Sequence, residues 1–292
     1  MGTQAENKEL KALIRLLDEP DNKVYDQIKG QIFSYGLDAI PTLESTWENS
    51  FDNLIQKRSL DLIHEIQFEN IYIDLNKWAY FQFNDLLKGF ILVSKYNYPD
   101  LDEDMIFKKV GSIIQDVWLE INSDLTGLEK VRVINHIFFD VHHFRGNKKN
   151  FYSPDNFFIN NVLDTKLGNP LSLGLLYLIV CQSLKIPMYG INLPKHFILA
   201  YVDSNSIKKD SAVNQSEVLF YLNPFNRGAV FTKNEIDLYV EQMKLKGENS
   251  YYTPANHLVM IGRLLEDLIY SYEKIGYKDK VVELQKLQQA VL

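Results

Sequence analysis

Apolar positions in residues 8–48 recur at spacings of three and four. They are interrupted at Glu19-Pro20-Asp21 and again at Gly36 and Ala39-Ile40-Pro41, which predicts a pair of helices joined by a turn. A weaker helical pattern continues through 51–68 and 75–94. Two clearer stripes come next, one on Met105, Ile106, Val110, Ile113, Ile114 and Val117 and one on Leu128, Val131, Ile134, Ile137 and Phe138. Asp102, Glu103 and Asp104 precede the first of these, where acidic groups favour a helix N-terminus. Ser153-Pro154 opens a shorter helix ending near Leu167. The pattern then changes. In residues 171–181 everything except Ser172 and Gly174 is hydrophobic, so a helix there is apolar on every side and belongs inside the protein. It is too short to cross a bilayer. Asn169 suits the N-cap and Pro170 the first helical position, so this helix begins at that pair and ends near Leu184.

Beyond Pro187 short apolar runs between turn signals predict strands at 188–192, 197–202 and 218–222. The polar stretch 203–217 between the last two reads as a mobile hairpin tip. If Val202 faces Glu217, counting back sets His196 opposite Asn223, close enough for an imidazole–amide hydrogen bond. A helix over about 234–246 leads to a final arm. There Leu258, Ile261, Leu264, Leu265, Leu268, Ile269 and Tyr272 form one stripe and Val281, Val282, Leu284 and Leu287 another, separated by Gly276. The first helix pair resembles a HEAT-type repeat and the last a tetratricopeptide-like pair. The chain therefore divides into a HEAT-like arm (1–80), a core (81–247) and a tetratricopeptide-like helical pair (248–292).

Composition narrows the function classes. Hydrophobic residues make up 46% and charged residues 24%, enough for a sizeable core. The 37 aromatic residues lie mostly on the apolar stripes, which points to core packing. A net charge of −7 argues against nucleic acid as a partner, since phosphate binding calls for a basic face. A single Cys precludes an intramolecular disulfide, and the polar start MGTQAENKEL carries no signal peptide, so a cytoplasmic, membrane-free protein is expected. His136, His142 and His143 have no carboxylate or Cys at a recognised ligand spacing, so no metal and no other cofactor is expected.

Gly168, Pro170, Ser172 and Leu173, then Pro194, His196 and Phe197, then Pro224, Phe225 and Asn226 form a pattern that resembles the SirB-one family. Tyr98 to Asp102, Phe144 to Asn147 and Tyr152 to Asn156 extend the likeness, which covers about 85–292. The resemblance implies an α+β, mainly helical fold. Its core is transglutaminase-like, in the papain-like superfamily, with a small antiparallel sheet and one buried central helix flanked by helical arms. Active transglutaminases carry their nucleophilic Cys two residues after a Gly at the start of the central helix, where the helix dipole and a nearby His favour thiolate. Here that position holds Pro170. Cys181 stands eleven residues further on, about 16 Å up a helix at roughly 1.5 Å per residue, and reads as a small buried hydrophobe.

Ser172 is the hydroxyl nearest the right place, with His196 as base and Asn223 as orienter of a conceivable triad. Its alternative role is to satisfy a free backbone group in the first helical turn. His196 is either that base or a hydrogen-bonded structural residue, and Asn223 stands where the family more often has Asp. Asn169, Asn192, Pro194, Lys195, Phe197 and Phe225 are the expected pocket lining. Three functional readings are open. One is a catalytically altered protein whose pocket and helical arms engage a protein or peptide partner. The others are an active hydrolase or acyltransferase using Ser172, and a scaffold with a vestigial pocket.

Overall fold

The computed structural model describes residues 4–194, 196–203 and 217–291, with side chains from residue 8 onward. Lys195 and most of the connection expected to form a mobile tip, 204–216, lie outside the described residues. The chain forms two compact units, Met1–Asp74 and Leu75–Leu292. Its fold is α+β and mainly helical.

In the first unit α1 (Gln4–Ile14), α2 (Asn22–Ser34), α3 (Ile40–Asn49) and the start of α4 (Asn53–Lys77) surround a core that includes Leu10, Ile14, Leu17, Ile32, Leu43 and Leu62. Asp21 ends the predicted break by capping α2, its carboxylate accepting from the Lys23 amide at 2.8 Å. The expected end of a helix at Phe68 is absent: α4 runs through that residue without interruption, and no Pro or Gly stands there to stop it.

The second unit contains α5 (Leu86–Lys95), α6 (Glu103–Glu120), α7 (Gly127–Asn135), β1 (Arg145–Gly146), α8 (Ile159–Thr165), β2 (Leu167–Gly168) and α9 (Pro170–Ser183). After these come β3 (Met188–Leu193), β4 (His196–Val202), β5 (Val218–Asn223), β6 (Ala229–Phe231), α10 (Lys233–Gln242), α11 (His257–Ile275) and α12 (Lys278–Gln289). Strands β3 to β6 form an antiparallel sheet in chain order, and β1 pairs with β2 in parallel. Asp102 caps α6 by accepting from the Met105 amide at 3.0 Å. Glu103 beside it receives the ammonium groups of Lys88 and Lys95.

Helix α9 is the centre of this unit, as its unbroken apolarity requires. It packs on β3 and β4 on one side and meets α5, α6, α8 and α11 on the others, with every residue from Pro170 to Cys181 buried. Two close approaches fix it. A Cβ at Gly174 would lie 2.5 Å from the Phe197 ring, so only glycine lets β4 sit this near the helix. Further along, the buried Tyr177 hydroxyl donates to Asn135 Oδ1 at 3.0 Å, while Asn135 Nδ2 donates to the Gly228 carbonyl at 3.0 Å. The opposite face of the sheet is covered from α10 and the Asn249–Tyr251 turn, forming a second cluster with Leu193, Ile198, Ala200, Tyr221, Ile236 and Val240.

Candidate functional site

The first turn of α9 is locked by its own side chains. Asn169 Oδ1 accepts from the Ser172 amide at 2.8 Å, and Ser172 Oγ accepts from the Asn169 amide at 3.0 Å, a reciprocal capping box. The Ser172 hydroxyl hydrogen is directed to the Asn169 carbonyl at 3.4 Å, and the residue has 0% exposure. Both capacities of the hydroxyl are thus used in closing the helix, so Ser172 satisfies the backbone of the first turn. Pro170 takes the first helical position of α9 and is buried. Cys181 is fully buried, and burial pushes its thiol well up, away from thiolate.

The sheet register differs from the expected one. Val202 pairs with Val218 rather than Glu217, and a bulge between Tyr201 and Val202 adds one more residue, so Leu199 pairs with Leu222. One further step would put Asn223 across from Ile198, not His196. His196 pairs instead with Leu193 on β3. Because Phe197 faces Gly174 on α9, strand alternation turns His196 to the other face, with Leu193, Ile198 and Ala200. There its half-buried ring meets Tyr239 of α10 edge-on, centroids 5.0 Å apart. Burial, reinforced by the Arg263 charge, holds its pKa below the usual imidazole value. Asn223 Oδ1 accepts from the Asn226 amide at 3.2 Å and so caps the Pro224–Asn226 turn. Among the described residues no hydrogen bond joins Ser172, His196 and Asn223.

A cavity of about 1150 Å³ opens at the N-terminus of α9. Asn169, Pro170, Asn192, Pro194 and Phe197 line it; Phe225 is not part of its lining and packs edge-on against the lining residue Phe151 at 5.6 Å and close to Gly146. The loop carrying Phe151 is held by Asn156, whose Nδ2 donates to the Asn150 and Phe151 carbonyls at 2.7 and 3.1 Å while its Oδ1 accepts from Asn147 at 2.9 Å. Asn156 is thus a backbone clip.

The far wall is helix α11, which sequence reasoning read only as an apolar stripe. Arg263, Asp267 and Ser271, spaced by four on one side of it, line the cavity. Arg263 Nε donates to Asp267 Oδ1 at 2.9 Å and its Nη1 to Asn192 Oδ1 at 2.8 Å, with only 14% of the side chain exposed. Burial raises the Asp267 carboxyl above the usual range, and the Arg263 charge opposes this. Ser271 Oγ is buried without a partner among the described residues. The sequence signal for this wall is a charged i,i+4 pair inside an apolar helix. No three His, Cys, Asp or Glu side chains among the described residues group closely enough to hold a metal ion. His142 pairs with Asp116 at 2.8 Å and His136 with Asp140 at 3.3 Å, on separate carboxylates. No described helix is long and apolar enough to cross a membrane.

A family model described as the transglutaminase-like superfamily matches residues 105–266. A UPF0162 protein of Xylella fastidiosa is 26% identical over 202 residues, 67% of each chain. A UPF0162 protein of Vibrio cholerae is 23% identical over 184 residues, 62% of this chain and 64% of that one. The F-box only protein 21 of Mus musculus is 29% identical over 155 residues, 53% of this chain and 23% of that protein. No solved structure gives a significant match.

Proposed function

Because the chain belongs to the transglutaminase-like superfamily, we propose that it is a catalytically altered member, which uses the cavity at the N-terminus of α9 to bind a protein or peptide partner. One observation carries this reading: Ser172, the hydroxyl in the first turn of α9, is consumed in the capping box, and on the family resemblance Pro170 takes the place of the nucleophile. An acyl-transfer enzyme needs an activated nucleophile within reach of its base, and His196 lies on the other face of the sheet. The cavity is open and holds a buried Arg263–Asp267–Asn192 arrangement, which favours a working pocket over a vestigial one. The likeness to F-box only protein 21 supports a role in protein interaction. Within the superfamily, the Gly168-x-Pro170-x-Ser172-Leu173 and Pro194-x-His196-Phe197 segments favour the SirB-one branch. On this reading a HEAT-like arm (1–80) and a tetratricopeptide-like pair (248–292) flank the core (81–247) of a cytoplasmic protein.

The test is turnover. Purified protein is incubated with a glutamine-bearing protein and a fluorescent primary amine, and separately with peptide and ester substrates. No amine incorporation and no hydrolysis are expected. Turnover that His196→Ala abolishes would overturn the proposal.

A further inference from the structure

Among the described residues the charged side chains that line the cavity are Asp267, Glu248, Glu266 and Glu273 against Arg263, with the Lys274 ammonium at its edge over the Tyr152 and Tyr270 rings. Arg263 is already committed to Asp267 and Asn192. Among the described residues Glu248, Glu266 and Glu273 enter no ion pair with a base. Among the described residues acidic groups therefore outnumber basic ones around the cavity, Lys274 included. Its wall is also aromatic, with Phe151, Tyr152, Tyr251 and Tyr270.

Two further observations point to a cation. Tyr152 and Tyr270 pack edge-on at 5.7 Å, and the chain's own Lys274 ammonium lies 5.0 and 5.2 Å from their ring centres, so this pair already holds one. Deeper in, Ser271 Oγ has no exposure and no partner among the described residues. An ammonium brings three donors and needs only acceptors, which a hydroxyl oxygen and carboxylates provide. An anionic ligand would face three unpaired carboxylates. The volume exceeds the roughly 300–1,000 Å³ of ordinary small-molecule pockets, so it suits a segment of chain rather than a single amine.

Resting on the reading of this cavity as a binding pocket, we propose that its ligand is a basic peptide segment. A lysine side chain enters between the Tyr152–Tyr270 pair and the carboxylates of Glu266 and Glu273 and reaches toward Ser271. Lys274 is then a competitor in place, shielding the aromatic pair until the partner arrives.

The experiment is fluorescence anisotropy of the full chain with labelled hexalysine, hexaglutamate and a glycine–serine peptide. Hexalysine alone binds. Glu266→Gln with Glu273→Gln weakens it about five-fold, from about 0.5 kcal/mol for each exposed ion pair. Tyr152→Leu weakens it about three-fold. Lys274→Ala strengthens it. Glu44→Gln with Glu48→Gln, which removes the same charge from the first unit, leaves it unchanged. Equal weakening by both double variants, or no binding of hexalysine, overturns the proposal. Preference for hexaglutamate overturns the ligand class while leaving a binding pocket. Mass spectrometry of the recovered peptide separates the remaining case, since cleavage or acyl transfer would overturn the binding reading itself.

Discussion

Replacing Ser172 by Ala separates a capping serine from a catalytic one. The hydroxyl accepts from the Asn169 amide at 3.0 Å in a site with 0% exposure, so its removal leaves a buried N–H unpaired. The reverse half of the box, Asn169 Oδ1 to the Ser172 amide, survives. An unsatisfied buried donor costs about 1–3 kcal/mol, and the slightly better helix propensity of Ala offsets a few tenths, giving a net loss of about 1–2 kcal/mol. For a unit of this size each kcal/mol moves the melting temperature by about 2–4 °C, so the expected drop is about 2–8 °C. Thermal unfolding measures the drop in melting temperature, and urea unfolding followed by tryptophan fluorescence, to which the buried Trp78 contributes, measures the free-energy loss. Glu is the usual capping-box partner at this position, but Ser172→Glu does not rescue, because a Cβ on Gly168 would already lie 2.7 Å from Ser172 Oγ and a longer side chain has no room. A nucleophile would behave in the opposite way, losing turnover with little change in stability. An unfolding midpoint equal to that of the unaltered chain would refute the assignment.

Pro170→Cys places a thiol where the proposed reading puts the nucleophile but should give no amine incorporation, because His196 points away from it; incorporation above the unaltered level would contradict the observed sheet register. Gly174→Ala forces a Cβ to 2.5 Å from Phe197 and should cost about 1–3 kcal/mol in urea unfolding. His257 Nε2 accepts from Gln182 Nε2 at 2.9 Å and its Nδ1 donates to the Phe83 carbonyl at 2.9 Å, which fixes a neutral ring, and burial keeps its pKa below the usual value. Because the folded pKa is depressed below about 6.5, the unfolded chain binds the proton first. This contribution is complete above that value and is lost as pH falls below it towards the folded pKa. Urea midpoints compared between about pH 8 and pH 5 should fall less in His257→Gln than in the parent, and an equal fall would contradict it.

Much of the fold is legible because burial dictates it. The run 171–181 has no polar face to give to solvent, so a central position was its only stable placement, and the Asn169-Pro170 pair marks the start of α9. The relative placement of His196 and Asn223 was not legible. It depends on where β5 begins and on a bulge at Tyr201 and Val202, neither of which leaves a mark in a short apolar run. Strand β6 was missed for a related reason, since Ala229–Phe231 is too brief to show alternation. The cavity wall on α11 was hidden differently. Its leucines and isoleucines account for the helix, and only the spacing of Arg263, Asp267 and Ser271 hints that a second face is put to use.

The central claim, a pocket without a nucleophile, is tested most directly by intact-protein mass spectrometry after exposure to p-nitrophenyl acetate, with peptide mapping of any adduct. The account predicts no acyl group on Ser172. An acyl-Ser172 adduct that is absent from the His196→Ala variant would contradict it.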